Sequence, residues 1–598
     1  MCMCKWNFYW ICLLFFLIGC GKIVAPEIIR SSNENNKLWI TDRAGKKIWT
    51  VDRKTGKVLG KQSFSSPIND LLLDGNGRLW AISDGKNGML YELNQDDLKI
   101  LSSVPLGYSP SAMTFNEKTG TLWITQRFNN ELWEIDPVSK EVLSRIDTGR
   151  EPVDVVSVRD GDNMLVFNNL PAMASTDFPV TTHVDVIDVA EKKVANRIML
   201  VNGSTDARAI TVSPDGQYAY VTHLVGRFQL PTNQVDRGWM STNAMSIINL
   251  VDLTHETTIL LDTPQRGAAN PSTIETSPDG KYIIIALSGT HELCFIDRLA
   301  LHERLAAVKR GEKVVPSVEK WEDLPNDAGF LYGIREFVPA GGNGTRGFTF
   351  GCDGKVVATN YFSGSITEID NNGKIARTFT LGKPVSSTKR GLGEMYFHDA
   401  NLCFQQWQSC ASCHPNDARV DGLNWDLLND GVGNPKNTKS LLYSHQTPPA
   451  MITGIRKDAE AAVRSGLKFI QFAEAPDEIA QAMDEYLKNL VPLPSPYLVE
   501  GKLSEAAERG KVNFDKYCAS CHPAPYFTDL KQYQVDWVTL AIDDVPMDVP
   551  ALTEIWRTAP YLYDGRSFTM REMLDVHGPE DKLSSTDLDE LAQYVLSL

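Results

Sequence analysis

Cys410-Ala411-Ser412-Cys413-His414 and Cys518-Ala519-Ser520-Cys521-His522 repeat one pentapeptide of the form C-x-x-C-H in the last third of this 598-residue chain. At that spacing two thiols can form thioethers to a haem while the adjacent imidazole ligates its iron. Two copies leave little room for the other uses of such cysteines, a redox dithiol or half a zinc site. The sequence therefore predicts two covalently bound haem c groups, attached through Cys410, Cys413, Cys518 and Cys521, with His414 and His522 as proximal iron ligands. Calcium as a further cofactor is not deducible from the sequence.

Short helices must position these groups. Ser504 to Tyr517 reads as a helix with Ala507, Gly510, Phe514 and Tyr517 at helical spacing. Thr586 with Asp589 reads as a capping box opening a terminal helix whose stripe is Leu588, Leu591, Val595 and Leu598. Ile479, Met483, Tyr486, Leu487 and Leu490 form the matching stripe of the first unit, and Pro492-Leu493-Pro494-Ser495-Pro496 is a stiff linker. The expected organisation is two mainly α cytochrome c-like domains, 386–490 and 497–598, joined by 491–496.

The preceding 350 residues repeat. Lys37-Leu38-Trp39-Ile40-Thr41, Arg78-Leu79-Trp80-Ala81 and Thr121-Leu122-Trp123-Ile124-Thr125 recur about every 40 residues, each followed by a second alternating run. Period-2 alternation argues strands, and weaker copies bring the count to seven units. Ser213-Pro214-Asp215-Gly216 and Ser277-Pro278-Asp279-Gly280 supply tight turns. Four short strands per unit at this period predict an all-β seven-bladed propeller over 36–385, in a multidomain chain. The turns resemble those of YVTN-type surface-protein propellers. Two insertions, His223 to Asn243 and Lys309 to Gly344, are candidate partner-binding loops or ordinary surface loops. His183, His223, His255 and His291 lack metal-ligand spacing and read as structural or surface groups.

The N-terminus carries Lys5 and an apolar run from Phe8 to Ile18, too short to span a bilayer. It ends Leu17-Ile18-Gly19-Cys20, which resembles the lipobox of bacterial lipoproteins. That resemblance implies a signal peptide over 1–19, Cys20 as lipid anchor, a tether over 20–35, and an exported protein attached to a membrane and facing the periplasm or the cell surface. A plain secretory signal or a short uncleaved anchor is the alternative. With 59 Lys and Arg against 75 Asp and Glu, the net charge is −16, and no basic run is long enough to follow a phosphate backbone. Nucleic acid is thus excluded as the main partner, and basic redox proteins are favoured.

Val549-Pro550-Ala551-Leu552-Thr553, running into Thr558-Ala559-Pro560-Tyr561-Leu562-Tyr563-Asp564-Gly565-Arg566, resembles the bacterial dihaem cytochrome c peroxidase and MauG family. The likeness spans 390–598, specific in the second half and looser in the first. It implies electron transfer between two haems and, in the peroxidases, reduction of hydrogen peroxide, here at the haem of His414. It also implies a sixth ligand to the second iron near His577, with Met570 or Met573 as substitutes. Two departures stand out. No histidine lies in 415–444, so the first iron is open unless His445 closes it or Trp425 blocks it. The family's tryptophan relay is replaced by Met451-Ile452-Thr453-Gly454-Ile455-Arg456. Two further readings are an electron carrier whose propeller docks a redox partner protein, and MauG-like oxidation of a docked protein. Glu460 and Glu474 are acid-base candidates by position, and Cys294, Cys352 and Cys403 have no assigned role.

Overall fold

The computed structural model describes residues 22–32, 36–228, 240–370, 372–427, 435–535, 545–579 and 581–598. The signal segment and Cys20 lie outside the described residues. Among them, seven four-stranded antiparallel sheets follow one another along the chain, each built from four consecutive strands. These are the blades of the propeller. The repeated tryptophans hold equivalent places in the first three: Trp39, Trp80 and Trp123 are fully buried. Each indole N–H keeps a partner, respectively the Gln95 carbonyl, the Asp74 carboxylate and the Thr121 hydroxyl. A buried indole contributes its large apolar area without an orphaned donor.

The two Ser-Pro-Asp-Gly turns are built alike. Ser213 and Ser277 each bond the following aspartate at 2.6 Å and accept from the backbone N–H five residues on. Gly216 and Gly280 take φ of +67° and +70°, open to glycine at little cost.

Among the described residues, the first and last blades exchange no strand. Ile23–Val24 pairs in parallel with Lys383–Pro384 instead, and Arg53 donates to Glu368 across the same junction at 3.0 Å, both groups buried. This moves a boundary. The stretch 20–35, expected as a tether, contributes Ile23–Val24 and the first blade's strand Pro26–Ser31. That strand carries none of the tryptophan repeat, which in this blade falls on the next strand, at Trp39.

Residues 229–239 of the first insertion lie outside the described residues; the described parts of both insertions are engaged by the protein itself. His223 lies inside the strand Tyr218–Gly226, which pairs along its whole length with Ser241–Asn249; Phe228 and Met240 beyond them pack on Leu423 and Trp425 of the haem-motif region. The second insertion, 309–344, begins where α1 (Arg298–Lys309) ends; its Trp321–Asn326 turn closes with α1 over the core of the sixth blade, and it includes that blade's last strand, Arg335–Pro339.

After the propeller come α2 (Lys389–His398), the single turns α3 (Cys410–Cys413) and α4 (Pro415–Ala418), α5 (Ala459–Phe469) and α6 (Asp477–Lys488). The last part holds α7 (Glu505–Tyr517), α8 (Met570–His577) and α9 (Ser585–Leu596). The capping box of α9 is Ser584 with Asp587, two residues before the expected Thr586 and Asp589. Ser and Asp two residues earlier satisfy the same rule, and the helix starts at the first of them. No described helix is long and apolar enough to cross a membrane.

Candidate functional site

Two small helical units carry the C-x-x-C-H motifs, and they share one skeleton. In the first, α2 crosses α6; in the second, α7 crosses α9. Both crossings are backbone to backbone: a Cβ on Gly393 would lie 1.8 Å from the Ala482 carbonyl, and one on Gly510 would lie 1.9 Å from that of Glu590. One turn further on, Phe397 meets Tyr486 at 5.3 Å and Phe514 meets Tyr594 at 5.1 Å. The loops ahead of α5 and α8 also correspond, at a constant offset of 111 residues. Bridges Ala450–Arg456 and Tyr561–Ser567 close them, Met451 and Leu562 take positive φ, and so do Gly454 and Gly565. Asp458 and Thr569 then cap α5 and α8 through the N–H three residues on.

Each motif histidine is fixed in the same way. His414 Nδ1 donates to the Arg419 carbonyl at 3.2 Å, and His522 Nδ1 donates to the Phe527 carbonyl at 2.8 Å, in both cases five residues downstream. A carbonyl can only accept, so the proton is assigned to Nδ1 and the ligating lone pair to Nε2. Burial pushes the His414 imidazole down to about 4 and lowers His522 as well, which keeps both neutral and able to bind a metal. Burial also raises the thiols, Cys410 to about 12 and Cys518 to about 11. These are neutral thiols, unlike the thiolates of a redox pair or a zinc site, and no cluster of three metal-ligating side chains occurs among the described residues. The chemistry of this donor set fits a haem in each unit.

The surroundings differ. The first unit sits against the propeller: Ser412 donates to Asn270 at 2.8 Å, Asn416 donates to Asn169 at 2.6 Å, and Thr205 donates to the Asp421 carbonyl at 2.6 Å. Trp425 packs on Gly226 and Phe228 beside Cys413, its indole donating to Asp421 at 2.8 Å. His445 is held by Asp484 at 3.0 Å, and Arg464 donates to the same carboxylate. His291, bridging to Asp399 at 3.3 Å, joins the propeller to this unit. His183 beside Asp185, His223 on Ser246 and His255 on Thr258 are likewise taken up in local contacts.

The two units meet at a buried ion pair, Arg419 with Glu554 at 2.9 Å, and Glu554 also accepts from the Leu493 N–H of the linker. Tyr443 of the first unit meets Tyr526 of the second with ring centroids 4.9 Å apart and planes tilted by 55°. Trp556 packs edge-on against Phe128 of the propeller at 5.3 Å.

His577 ends α8 and is exposed, while Met570, Met573 and Leu574 of the same helix join the apolar cluster around Cys518. Glu460 pairs with Lys488 at 2.7 Å and Glu474 is exposed, so both are surface carboxylates. The acid that sequence reasoning missed is Asp421. Burial raises it to about 7, against hydrogen bonds from Thr438, the Leu423 N–H and Trp425. Its spacing from His414 carries no known signal; only the packing of Trp425 marks it. Cys294 and Cys403 are buried free thiols and Cys352 is an exposed one.

Residues 387–497 match the family model of the di-haem cytochrome c peroxidases. The chain carries a domain of the di-haem cytochrome c peroxidase/MauG type. The match falls on the first unit and the linker, where the sequence resemblance is the looser of the two. Among curated proteins, the chain is 29% identical to hydrazine synthase subunit beta of Kuenenia stuttgartiensis, over 38% of this chain and 58% of that one. It is 25% identical to subunit gamma of the same enzyme, over 36% of this chain and 79% of that one. The chain thus spans little more than half the length of the first of these relatives. A solved structure of Kuenenia stuttgartiensis hydrazine synthase superposes with a TM-score of 0.51 at 22% identity, covering 59% of this chain and 97% of that one, a likeness of fold alone.

Proposed function

We propose that the protein is a dihaem c-type oxidoreductase in which electrons enter at the second unit and hydrogen peroxide is reduced at the first, two electrons and two protons giving two waters. The observation that carries this reading is the doubled seat, two half-buried imidazoles each tied back by Nδ1 to the carbonyl five residues on, beside a pair of cysteines at haem-attachment spacing. The two haems, held through Cys410 and Cys413 with His414, and through Cys518 and Cys521 with His522 and His577, would supply one-electron chemistry and an iron at which an O–O bond is cleaved.

The chain's own residues account for the rest. The Arg419 carbonyl orients His414, and Trp425 with Leu423 and Phe228 keeps water out of the seam beside Cys413. Asp421 is buried at the same seam with a carboxyl that titrates near 7, so it can hold a proton there at neutral pH. Arg419 and Glu554 fix the distance between the units, and Tyr443 with Tyr526 places two aromatic rings across the boundary that the family's tryptophan relay would serve. We also assign Cys20 as a lipid anchor on an exported protein, whose net charge of −16 suits a basic electron donor.

A second reading is favoured by the similarity to two subunits of one hydrazine synthase: the reacting atoms at the first unit are nitrogen rather than oxygen. Turnover assays separate the readings. Reduction of peroxide that disappears in His414→Ala supports the first; hydrazine formed from hydroxylamine and ammonia with release of one water, without peroxide turnover, supports the second. Unchanged peroxide turnover in His414→Ala removes the assignment of the first unit as the reactive one. An electron paramagnetic resonance spectrum of the ferric protein is expected to contain one high-spin and one low-spin haem.

A further inference from the structure

The offset of 111 residues that relates the two loops continues through their caps into α5 and α8, because Asp458 and Thr569 occupy the same N-cap and bond the same third N–H, Ala461 and Glu572. Carried along without a gap, it sets His577 opposite Gly466. Gly466 lies on the face of α5 that looks toward the attachment cysteines. Val463, three residues before it, and Leu467, just after it, pack in the cluster of Cys410; Ile470, four residues after it, packs in the cluster of Cys413. A Cβ at Gly466 would meet no heavy atom within 4 Å. The side chains that the sequence offered to close or block the first iron are engaged elsewhere, His445 with Asp484 and Trp425 with Asp421.

We infer that Gly466 occupies, in the first unit, the sixth-ligand position that His577 occupies in the second, and that its missing side chain is what leaves the first haem open to a small exogenous ligand such as peroxide. This rests on the reading of two haem c seats given above and adds the residue that makes them unequal. One fold motif, duplicated, yields a closed iron where the helix ends in histidine and an open one where it carries glycine.

The test uses the full-length haem-loaded protein. Gly466→His is expected to replace the high-spin ferric signal of the first haem by a low-spin one, and to abolish the spectral change that added imidazole produces in the parent. Gly466→Met, a weaker ligand, is expected to act in the same direction, and Gly466→Ala is expected to keep the high-spin signal. In the second unit, His577→Gly is expected to convert the low-spin haem to high spin. A first haem that stays high-spin and imidazole-sensitive in both Gly466→His and Gly466→Met overturns the inference, as does a second haem that stays low-spin in His577→Gly. Two low-spin signals in the parent itself would overturn the open first iron, and the proposed function with it, before any variant is made.

Discussion

The pentapeptide Cys-Ala-Ser-Cys-His occurs twice without a change, yet its two copies live in different surroundings. Ser412 is 2% exposed and bonded to the propeller through Asn270, whereas Ser520 faces solvent. The residues after the histidine diverge to match. Asn416 and Asp417 adopt left-handed φ and reach the propeller, while the corresponding Ala524 and Pro525 do not carry such side chains. On the helix that precedes each motif, His398 is packed among Phe362, Phe397 and Tyr486, but its counterpart Asp515 pairs with Lys511 at the surface. What the units keep is the backbone contact at Gly393 and Gly510. Each unit keeps the crossing that holds it together; the propeller covers the motif of the first and meets the second away from its motif, at Arg557 and Gly565. A covered unit with an open ligand position and an exposed unit with a histidine are complementary: one suits chemistry, the other exchange of electrons.

The largest expected effect lies where the two units join. Arg419 and Glu554 are each about 2% exposed or less, and Glu554 also holds the buried Arg557 at 3.3 Å, so removing Arg419 breaks a buried triad and removing Glu554 leaves two buried guanidiniums without their shared carboxylate. Arg419→Ala or Glu554→Ala is expected to cost about 3–5 kcal/mol, read from urea or thermal unfolding. In the double variant Arg419→Met/Glu554→Leu, Arg557 keeps Glu151 at 3.8 Å as its carboxylate, and most of that loss is expected to be recovered. A small cost for either single variant would mean that the units are held by their separate contacts with the propeller.

Next come the crossings that the units share. Gly393→Ala and Gly510→Ala both press a methyl group into a carbonyl oxygen that belongs to a helix backbone and cannot swing aside. Each is expected to cost about 1–3 kcal/mol, and the costs should be similar. Different costs would show that the propeller supports the first crossing as well as covering it.

A pH profile tests the covered copy alone. Burial holds His398 at about 3, with Arg346 acting in the same direction, so the folded protein binds its proton far less readily than an unfolded chain whose histidine titrates near 6.5. Stability is therefore full above about pH 6.5 and falls with acidification toward pH 3, by at most about 1.4 kcal/mol per pH unit from this group. In His398→Asn this component of the slope is expected to vanish. An unaltered slope between pH 6.5 and 4.5 would assign the acid sensitivity to other groups.

The legibility of this chain in its sequence follows the strength of each physical signal. Fully buried tryptophans at a regular spacing announce three blades, and Ser-Pro-Asp-Gly turns mark two more. Pro26–Ser31 was illegible because a single strand with one fully buried isoleucine looks like any short apolar stretch until its neighbours are known. The two C-x-x-C-H motifs stand out in the sequence because haem attachment would dictate their spacing. Asp421 was not, because a buried carboxylate is defined by what surrounds it. Gly466 is the instructive middle case. Nothing about a glycine in a helix signals a function, but Pro449 to Gly454 can be laid over Pro560 to Gly565 from the sequence alone, and that register reaches Gly466.

Gly466→Ala carries the smallest expected effect and an opposite sign. Glycine in a helix interior costs roughly 0.5–1 kcal/mol relative to alanine, because it gives up more backbone freedom on folding. The added methyl group at this position meets only open space, so the substitution is expected to raise stability by about that amount in thermal unfolding of the full-length protein. The same change at Gly393 or Gly510 is expected to lower it. A glycine that lowers stability and makes no close contact is retained for a reason outside packing. A gain in stability together with an unaltered high-spin signal would place that reason beyond the first methyl group, in the volume that a longer side chain would occupy. A loss of stability instead would show that the space above α5 is already claimed by the bound haem.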